Sequence, residues 1–414
     1  MSGLQPVRGT HDLFPNDIRR HRKVIDTARA VAERYGYGEI ATPIFEFSEV
    51  FQRTLGDTSD IVTKEMYSFT DRGGDNITLR PEYTAGIARA FISGGLQQHL
   101  PLKFFCHGPM FRYERPQKGR LRQFHQIDVE LLGVAQPQGD IEIIALGWDI
   151  LVALGLSESC VLELNTLGDG TSRAAYRKVL VEYLGAHRDK LSEDSRGRLE
   201  RNPLRVLDSK DEADRKIVAG APGFEQHLNL ESAAFFATVR AGLDALKIPY
   251  KLNPRLVRGL DYYCHTAFEF TTTALGAQGT VMGGGRYDGL IEAMGGPSTP
   301  GIGWAAGIER LAMLIAEPPS PARPLAVVPM GAEAEAMAQV LARDLRRIGF
   351  AVELGYSGNL KKRLQRANRA KARAALILGE DELKRQAIAV RDLDSGDQQE
   401  VPLNRLETHL ARFR

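Results

Sequence analysis

The sequence predicts an α+β fold with an antiparallel sheet in its large first part, and a small α/β domain at its C-terminal end. β-rich stretches at 103–107, 123–133 and 255–271 are separated by long connections with few tight-hairpin signals, which favours an antiparallel sheet. Four prolines within 318–324 cannot continue a helix or a central strand and therefore indicate a linker. The expected organisation is a first domain over 1–317, the linker over 318–324 and a second domain over 325–414.

Two helical regions are expected in the first domain. A helix is predicted to begin at Pro15 and to stop before Gly36, because apolar side chains recur at helical spacing between them. Between about 168 and 228 the character changes, and charged, helix-favouring residues dominate at 192–200 and 209–216. We interpret this stretch as an inserted helical subdomain.

The last part of the chain alternates between short apolar segments and helical ones. Alternation at these lengths predicts a largely parallel sheet with helices packed against it. The expected strands are 325–330, 350–354 and 374–378, and the expected helices are 333–348 and 359–371.

Composition places the chain among ordinary globular proteins. Of its 414 residues, 43% are hydrophobic and 26% are charged, which excludes a disordered or collagen-like chain. The start lacks the apolar core of a signal peptide and no run of about 18 apolar residues occurs, so a cytoplasmic protein without a membrane partner is expected. Its three cysteines are far apart and odd in number, which favours a reducing compartment over a disulfide framework or a structural zinc site.

Charge is distributed unevenly along the chain. The formal net charge is +2, yet the segment from Arg323 to the end holds 17 basic and 12 acidic residues. A basic tail beside a slightly acidic body suggests an acidic partner for the tail. Seven Lys or Arg and no acid fall within 359–373, where a solvated helix face is the plain interpretation and nucleic-acid phosphates are the specific one.

The 123–133 stretch has two distinct faces if it forms a strand, because alternate side chains share a face. The mainly apolar face is His125, Ile127, Val129 and Leu131, and the other face is Phe124, Gln126, Asp128 and Glu130. A solvated sheet face is the plain interpretation of the second set, but such a face gains nothing from an aromatic ring. We therefore predict a ligand-facing floor, where the ring stacks and the amide and Glu130 bind a cation or hydrogen-bond donors.

Basic residues cluster just before this strand. Five basic residues and one acid lie within 112–122, and Pro116 with Gly119 breaks the strand, so a strand–loop–strand unit is expected. A solvated hairpin tip and a phosphate or nucleic-acid contact both remain open on charge alone. The role of Arg258 also has two interpretations. An arginine in an apolar strand can form a buried ion pair, for example with Asp261, or it can bind an anionic ligand.

Two glycine-rich segments follow, at 283–289 and 301–311. Neither has the spacing of a Walker loop or of a G-x-G-x-x-G dinucleotide turn. The second is expected to be a strand of small residues that runs into a helix with Arg310 near its start. Glycines of this kind allow close approach of a neighbouring element or a ligand.

In order, these segments resemble the three signature motifs of class II aminoacyl-tRNA synthetases, and more narrowly the histidyl-tRNA synthetase family. The resemblance implies a class II antiparallel sheet flanked by helices, followed by a C-terminal anticodon-binding domain. The matching segments are PVRGTHDLFP at 6–15, LRPEYTAGIAR at 79–89, FRYERPQKGRLRQFHQIDVELLG at 111–133, RNPLRVLDSK at 201–210, LVRGLDYY at 256–263, GGGRYDGL at 283–290, GIERL at 307–311 and ILGEDEL at 377–383.

The resemblance also implies roles for individual residues. Arg112 and Arg258 are the implied catalytic arginines at the α-phosphate of ATP. Asp128 occupies a position at which the residue type varies within the family. The implied ATP contacts are Arg112, Glu114, Arg120, Phe124 on adenine and Arg310 on the γ-phosphate. The implied histidine contacts are Glu82, Thr84, Gln126, Glu130, Arg258, Tyr263 and Tyr287. Mg²⁺ bound with ATP is the implied cofactor, and no protein side chain is singled out as a metal ligand.

ATP, L-histidine and tRNA(His) are the partners that the resemblance implies, together with a second copy of the chain. The stretch 41–51 resembles motif 1, which builds a homodimer interface in this class. The implied tRNA contacts are Gln117, Lys118 and Arg122 in the loop, and Lys361, Lys362 and Arg366 in the tail.

Three functions were compared on the sequence: a histidine–tRNA ligase, a catalytically silent relative that regulates ATP phosphoribosyltransferase, and an RNA-binding or sensor module. The silent relatives lose active-site residues and lack the anticodon domain, whereas this chain has a full tail and keeps Glu82, Arg112, Glu130, Arg258 and Arg310. Neither HIGH nor KMSKS occurs, which excludes a class I synthetase. The ligase is therefore the expected function.

Overall fold

The computed structural model describes residues 4–55, 61–257, 262–276 and 279–414. The chain divides into two compact units, Met1–Pro318 and Pro319–Arg414, and the division falls in the proline-rich segment. Among the helices in the described ranges, none combines the length and apolar character needed to cross a bilayer.

The first unit mixes helices and strands along its whole length. Its helices are α1 (Pro15–Arg34), α2 (Ser48–Leu55), α3 (Thr84–Ser93), α4 (Pro137–Ala153), α5 (Gly170–Ala186), α6 (Glu193–Arg201), α7 (Glu212–Val218), α8 (Leu230–Ala245), α9 (Leu290–Ala293) and α10 (Ile308–Leu314). Its strands are β1 (Gly38–Glu39), β2 (Phe45–Phe47), β3 (Tyr67–Thr70), β4 (Asn76–Leu79), β5 (Leu102–Phe111), β6 (Gln123–Leu132), β7 (Val161–Thr166), β8 (Tyr250–Leu252), β9 (Cys264–Thr271), β10 (Thr280–Arg286) and β11 (Gly301–Gly307).

The main sheet of the first unit has the strand order β1-β5-β6-β11-β10-β9-β7-β8. In this order, every neighbouring pair between β5 and β7 is antiparallel. The outer strands β1 and β8 each pair in parallel with their neighbours, β5 and β7. The expected α+β fold with an antiparallel sheet is therefore confirmed. A second small sheet, β2-β4-β3, was not predicted, and its β3–β4 hairpin turns at Asp71–Asp75.

Helix α1 begins and ends where the sequence predicts. Proline occupies its first position, and the Asp17 carboxylate accepts the backbone N–H of Phe14 at 3.2 Å, which closes the N-terminal turn. Val24, Ala28 and Val31 are fully buried and join the core beneath the main sheet. Helical spacing thus correctly identified the face that packs on the sheet.

The strand expected over 255–271 begins later than predicted, at Cys264. Pro254 and Arg255 form a turn, in which Asn253 Oδ1 accepts the backbone N–H of Arg255 at 3.1 Å. This local side-chain hydrogen bond competes with strand pairing, as is typical of asparagine before proline. Arg258 and Asp261 lie outside the described residues.

The stretch 168–228 contains α5, α6 and α7 joined by short turns. The buried Asp214 carboxylate ties the turns together, because it accepts hydrogen bonds of 2.6–2.8 Å from Ser192, Ser195 and Ser209. Helices therefore form where charged, helix-favouring residues dominate the sequence.

The second unit has a five-stranded mixed sheet. Its helices are α11 (Ala332–Arg347), α12 (Leu360–Arg369), α13 (Glu380–Lys384) and α14 (Leu406–Leu410), and its strands are β12 (Leu325–Met330), β13 (Val352–Leu354), β14 (Ala374–Gly379), β15 (Ala387–Asp392) and β16 (Gln398–Pro402). The order is β13-β12-β14-β15-β16. The three expected strands pair in parallel, as predicted, but β15 and β16 were not predicted and extend the sheet in antiparallel pairing, so the sheet is mixed and the expectation of a largely parallel sheet is wrong.

Candidate active site

A cavity of about 280 Å³ lies on the main sheet, lined by β6, β9, β10 and β11, by the 112–122 loop, and by the ends of α3 and α10. It gathers segments that are far apart in sequence. The predicted site residues that line it are Glu82, Thr84, Arg112, Glu114, Arg120, Phe124, Gln126, Tyr263 and Arg310. Glu130 and Tyr287 are buried beside it, whereas Arg258 lies outside the described residues.

Glu130 is the centre of a buried hydrogen-bond cluster at one end of the site. Its Oε1 accepts the Thr84 hydroxyl at 2.6 Å, and its Oε2 accepts the Tyr287 hydroxyl. Burial raises the pKa of Glu130 to about 8, against the opposing effect of these two hydrogen bonds. Gly303 faces Glu130 on β11, and a β-carbon there would overlap the carboxylate, so this position requires glycine.

Glu82 adds a second buried carboxyl. It precedes α3 and accepts the backbone N–H of Ala85 at 2.9 Å, a hydrogen bond that orients it at the helix N-terminus. Burial raises the pKa of Glu82, while hydrogen bonds and the charge of Arg112 oppose the shift. This end of the cavity is therefore built to receive hydrogen-bond donors or a cation.

The cavity also has a cationic end, which adjoins Glu82 through Arg112. Arg112 donates from Nε to the Pro81 carbonyl at 2.9 Å, and its guanidinium lies 5.3 Å from the Phe124 ring centre. Arg310 donates to the carbonyls of Gly119 at 3.0 Å and Thr280 at 2.6 Å, which connects α10 with the loop and β10. Anions are the natural ligands of such an end.

The 112–122 loop is the predicted strand–loop–strand unit between β5 and β6. At its tip, Gln117 and Arg120 exchange backbone hydrogen bonds of 2.9 and 3.0 Å, and Arg120 also pairs with Glu114. Gln117 and Lys118 are exposed at this turn. Arg122 differs, because its guanidinium stacks 3.8 Å from the centre of the Tyr113 ring.

A buried ion pair at the neighbouring residue, Arg286, holds Tyr287 in place. Arg286 is fully buried and donates to Asp140, with Nε–Oδ2 at 3.1 Å, and to Asp288 at 3.0 Å. Because Arg286 directly precedes Tyr287, this anchor fixes the end of β10 from which the Tyr287 hydroxyl reaches Glu130. Sequence reasoning missed Arg286, although a charged residue within a glycine-rich strand was the available signal.

His21, His125 and Glu309 form a further cluster that the sequence did not single out. Their ligand-type atoms lie within 4.8 Å of one another. Glu309 accepts His125 Nδ1 at 2.8 Å and the backbone N–H of His125 at 3.0 Å, which ties β6 to α10 next to Phe124 and Arg310. Glu269 and Thr280 were also missed, although both line the cavity. A lone acid in the apolar run 267–270 was the signal for Glu269.

The basic helix of the second unit is α12, capped by Asn359, whose side chain accepts the backbone N–H of Lys362 at 3.0 Å. Lys361, Lys362 and Arg366 are exposed. Arg363 is buried instead, and it donates to the carbonyls of Pro329 at 2.6 Å and Gly355 at 2.9 Å. It therefore stabilises the domain from within.

Comparison with known proteins identifies the family. The protein-family model described as histidyl-tRNA synthetase matches residues 9–169 and 172–311 of this chain. The chain belongs to the histidyl-tRNA synthetase family. A second model, described as an anticodon binding domain, matches residues 325–412.

Relatives and structures in this family match over nearly the full chain. The histidine–tRNA ligase of Rhodospirillum rubrum is 64% identical over 414 residues and is covered completely, as this chain is. That of Gluconobacter oxydans is 56% identical over 414 residues, again with complete coverage of both chains. The crystal structure of apo histidyl-tRNA synthetase from S. aureus is 34% identical with a TM-score of 0.81, covering 98% of this chain and 99% of that one. The expected class II fold with a C-terminal anticodon-binding domain is thereby confirmed.

Proposed function

We propose that the chain ligates L-histidine to tRNA(His) in two steps. The histidine carboxylate attacks the α-phosphorus of ATP, which forms histidyl-adenylate and releases pyrophosphate. The 3′-terminal ribose hydroxyl of the tRNA then attacks the adenylate and releases AMP. The observation that carries this proposal is one cavity lined by Arg112, Arg310 and the buried Glu82, with Glu130 buried beside it.

The first step needs no protein nucleophile, because the substrate supplies its own carboxylate. The site has to align two anions and stabilise the charge that develops on the α-phosphate. Arg112 at the α-phosphate and Arg310 at the γ-phosphate are the proposed cations, and both line the cavity. Arg258 is proposed on its sequence motif as a third, near the α-phosphate and the histidine carboxylate.

Selection of histidine is assigned to the buried cluster. Glu130 is the proposed acceptor for an imidazole N–H, with Tyr263 and Tyr287 beside it. An amino acid without ring nitrogens cannot donate to Glu130, which would then keep only the Thr84 and Tyr287 hydroxyls, and this lost contact supports discrimination by a factor of roughly 10⁴ without editing. Glu82, Thr84 and Gln126 are the proposed contacts of the α-amino group.

ATP is proposed to stack its adenine on Phe124, with Glu114 and Arg120 at the same end. Mg²⁺ bound with ATP would neutralise charge on the phosphate oxygens. The side chains present fit this ion, because the carboxylates of Glu114 and Glu269 line the cavity near Arg310 and offer the oxygen ligands that Mg²⁺ prefers.

The tRNA contacts are proposed on two surfaces. Gln117, Lys118 and Arg122 are assigned to the acceptor end, supported by the exposure of the first two. Lys361, Lys362 and Arg366 are assigned to the anticodon stem and loop, supported by their exposure on or beside one helix of the domain that matches an anticodon-binding model. Binding through these cations should weaken steeply with salt.

A homodimer is proposed through the stretch 41–51. Ile44, Phe45 and Phe47 are 43%, 56% and 52% exposed there, and Phe69 on β3 of the same small sheet is 51% exposed. Apolar side chains grouped in this way are typical of an interface. Sedimentation equilibrium would detect the dimer, and Phe45→Asp would be expected to weaken it.

The experiment that tests the ligase is amino-acid-dependent exchange of labelled pyrophosphate into ATP, with Mg²⁺ and each of the twenty amino acids. Exchange with histidine alone is the expected result. A folded sample that binds histidine but exchanges with none would contradict the proposal and favour the silent regulatory relative. Arg112 and Arg310 in the described cavity, with the buried carboxyls of Glu82 and Glu130, favour the ligase.

A further inference from the structure

Asp128 is a buried carboxyl on the cavity floor that the proposed contacts leave unused. It is 1% exposed and lines the cavity from β6, and its Oδ2 is buried with no hydrogen-bond partner within the described part of the chain. Two residues earlier on the same face, Gln126 Oε1 is likewise buried without a partner. Two acceptors on the same face of β6 thus line the cavity together with the Glu82 carboxyl, and neither has a partner among the described residues.

Among the residues that the structure describes, none pairs with the Asp128 carboxyl to compensate its charge. Its neighbours across the sheet are Cys106 on β5 and Ala305 on β11, and neither carries a positive charge. Arg80 and Arg112 act on it only through their charge, since Arg80 donates to the Thr42 carbonyl at 2.9 Å and the Pro109 carbonyl at 2.9 Å.

Two further carboxyls, Glu82 and Glu130, add negative potential at the same place. Burial, and then the charge of Glu130, raises the pKa of Asp128 well above its usual range. A buried carboxyl in such surroundings is costly unless a donor or cation pairs with it.

We propose that Asp128 is a further substrate-binding residue, which with Gln126 Oε1 and Glu82 receives the α-ammonium group of the amino acid. An ammonium group has three N–H donors, and these three side chains offer acceptors for them. The assignment rests on the proposed activation of histidine. Because every amino acid carries this ammonium group, Asp128 contributes affinity and orientation, whereas Glu130 and its partners select the imidazole ring.

The test compares two ligands and two proteins by titration calorimetry. L-Histidine carries the ammonium group, and 3-(imidazol-4-yl)propanoate is the same molecule without it. Asp128→Asn is expected to raise the Kd of L-histidine about tenfold or more, because a charge-assisted hydrogen bond is lost. The same variant should change the Kd of imidazolylpropanoate, measured by displacement where it is weak, by less than about twofold.

Asp149→Asn is the charge-matched control. Asp149 is an exposed carboxyl on α4 that accepts the Tyr35 hydroxyl at 2.8 Å, and its variant should affect neither ligand. Asp128→Ser serves as a second variant in case the asparagine form is poorly folded, and thermal melting monitors both. If Asp128 had only a structural role, its substitution would weaken the binding of both ligands equally or of neither. Either result would overturn the proposal.

Calorimetric binding is independent of catalysis. Absence of histidine-dependent pyrophosphate exchange in the unmodified chain would therefore contradict the ligase activity alone. The ammonium assignment would still be decided by the two ligands.

Discussion

The Thr84 hydroxyl donates a hydrogen bond of 2.6 Å to Glu130 Oε1 and so joins the start of α3 to β6 across 46 residues of sequence. Tyr287 donates to the other oxygen of the same carboxyl. Two hydroxyl donors therefore hold one buried carboxyl in a fixed orientation, and the glycine at 303 leaves room for it. In the proposed mechanism this fixed acceptor selects the imidazole ring.

Glu130→Gln is expected to weaken the use of histidine without affecting ATP. In the histidine complex the ionised carboxyl would accept from Thr84, Tyr287 and the imidazole N–H, whereas the amide has one acceptor oxygen and presents an NH₂ donor to one of these partners. One unpaired buried group costs about 1–3 kcal/mol, so the KM for histidine in pyrophosphate exchange should rise about 5- to 150-fold. The KM for ATP should stay within about twofold. Thr84→Val, which removes one donor, should give a smaller rise, and equal effects on both substrates would contradict the assignment.

The stability of the chain should depend on pH through the same carboxyl. Burial raises the pKa of Glu130 in the folded state to about 8, above the ordinary value of 4.5. The folded state therefore binds more protons than the unfolded state between these values, and the stabilisation present below about pH 4.5 is lost as pH rises towards about 8.

Glu130→Gln has no such titration. The melting temperature of this variant relative to the unmodified chain should therefore increase between about pH 5 and about pH 8.5. Differential scanning fluorimetry on both proteins in matched buffers measures the difference. A difference that stays constant across this range would show that Glu130 is ionised in the folded state throughout.

Arg286→Met is expected to destabilise the first unit strongly. Removing one partner of a buried ion pair leaves the Asp140 charge uncompensated, at a cost of about 3–5 kcal/mol. The double variant Arg286→Met, Asp140→Leu should recover much of the loss, because it removes both charges. Chemical denaturation measures these free energies of unfolding.

The control for this pair is Arg188→Met. Arg188 pairs with Glu200 at 2.7 Å, but the two side chains are 56% and 65% exposed, so the change should cost less than about 1 kcal/mol. If the exposed and the buried variants had equal effects, Arg286 would have no anchoring role.

The exposed and the buried basic residues of α12 should respond differently to substitution by alanine. Lys361→Ala and Lys362→Ala are expected to raise the KM for tRNA and to reduce the salt dependence of binding by about one unit of slope each. They should leave pyrophosphate exchange without tRNA unchanged. Filter binding over a salt series measures the slope, with the exposed Arg343 on α11 replaced by alanine as the charge-matched control.

Arg363→Ala is expected to act on stability instead. Its guanidinium donates to three backbone carbonyls and to Glu335 at 2.6 Å inside the second unit. Alanine would leave these acceptors unpaired, which lowers the melting temperature of that unit. A variant that melts normally but loses tRNA would contradict this internal role.

Much of the site was predictable from local pattern. The alternation in 123–133 separated the buried Ile127 and Val129 from Phe124 and Gln126, which line the cavity. Period-two spacing requires only that a segment forms a strand, so it survives any arrangement of the neighbouring elements. The helix from Pro15 and the strand–loop–strand unit around Gly119 were predictable for the same reason.

Pairings between distant residues were not predictable in this way. His125 bonds to Glu309, and Arg286 to Asp140, because β6, β11 and β10 are adjacent in the sheet. In the sequence, 147 residues lie between β6 and β10, and 168 lie between β6 and β11. Strand order is decided by the packing of the whole unit, and no periodicity within a segment records it. The parallel-to-antiparallel change at β15 escaped prediction for the same reason.

The sequence by itself determined the family, the helix from Pro15, the strand over 123–133 and the residue types available for chemistry, because motif identity and side-chain spacing are properties of the chain. Tertiary structure alone decided which of those side chains meet. It buried Asp128 Oδ2 with no partner in the described ranges, turned Arg363 inward while Lys361 stayed exposed, and gave Glu130 two hydroxyl donors. The physical reason is that burial and hydrogen bonding depend on neighbours that are distant in sequence, and only the packed fold brings these neighbours together.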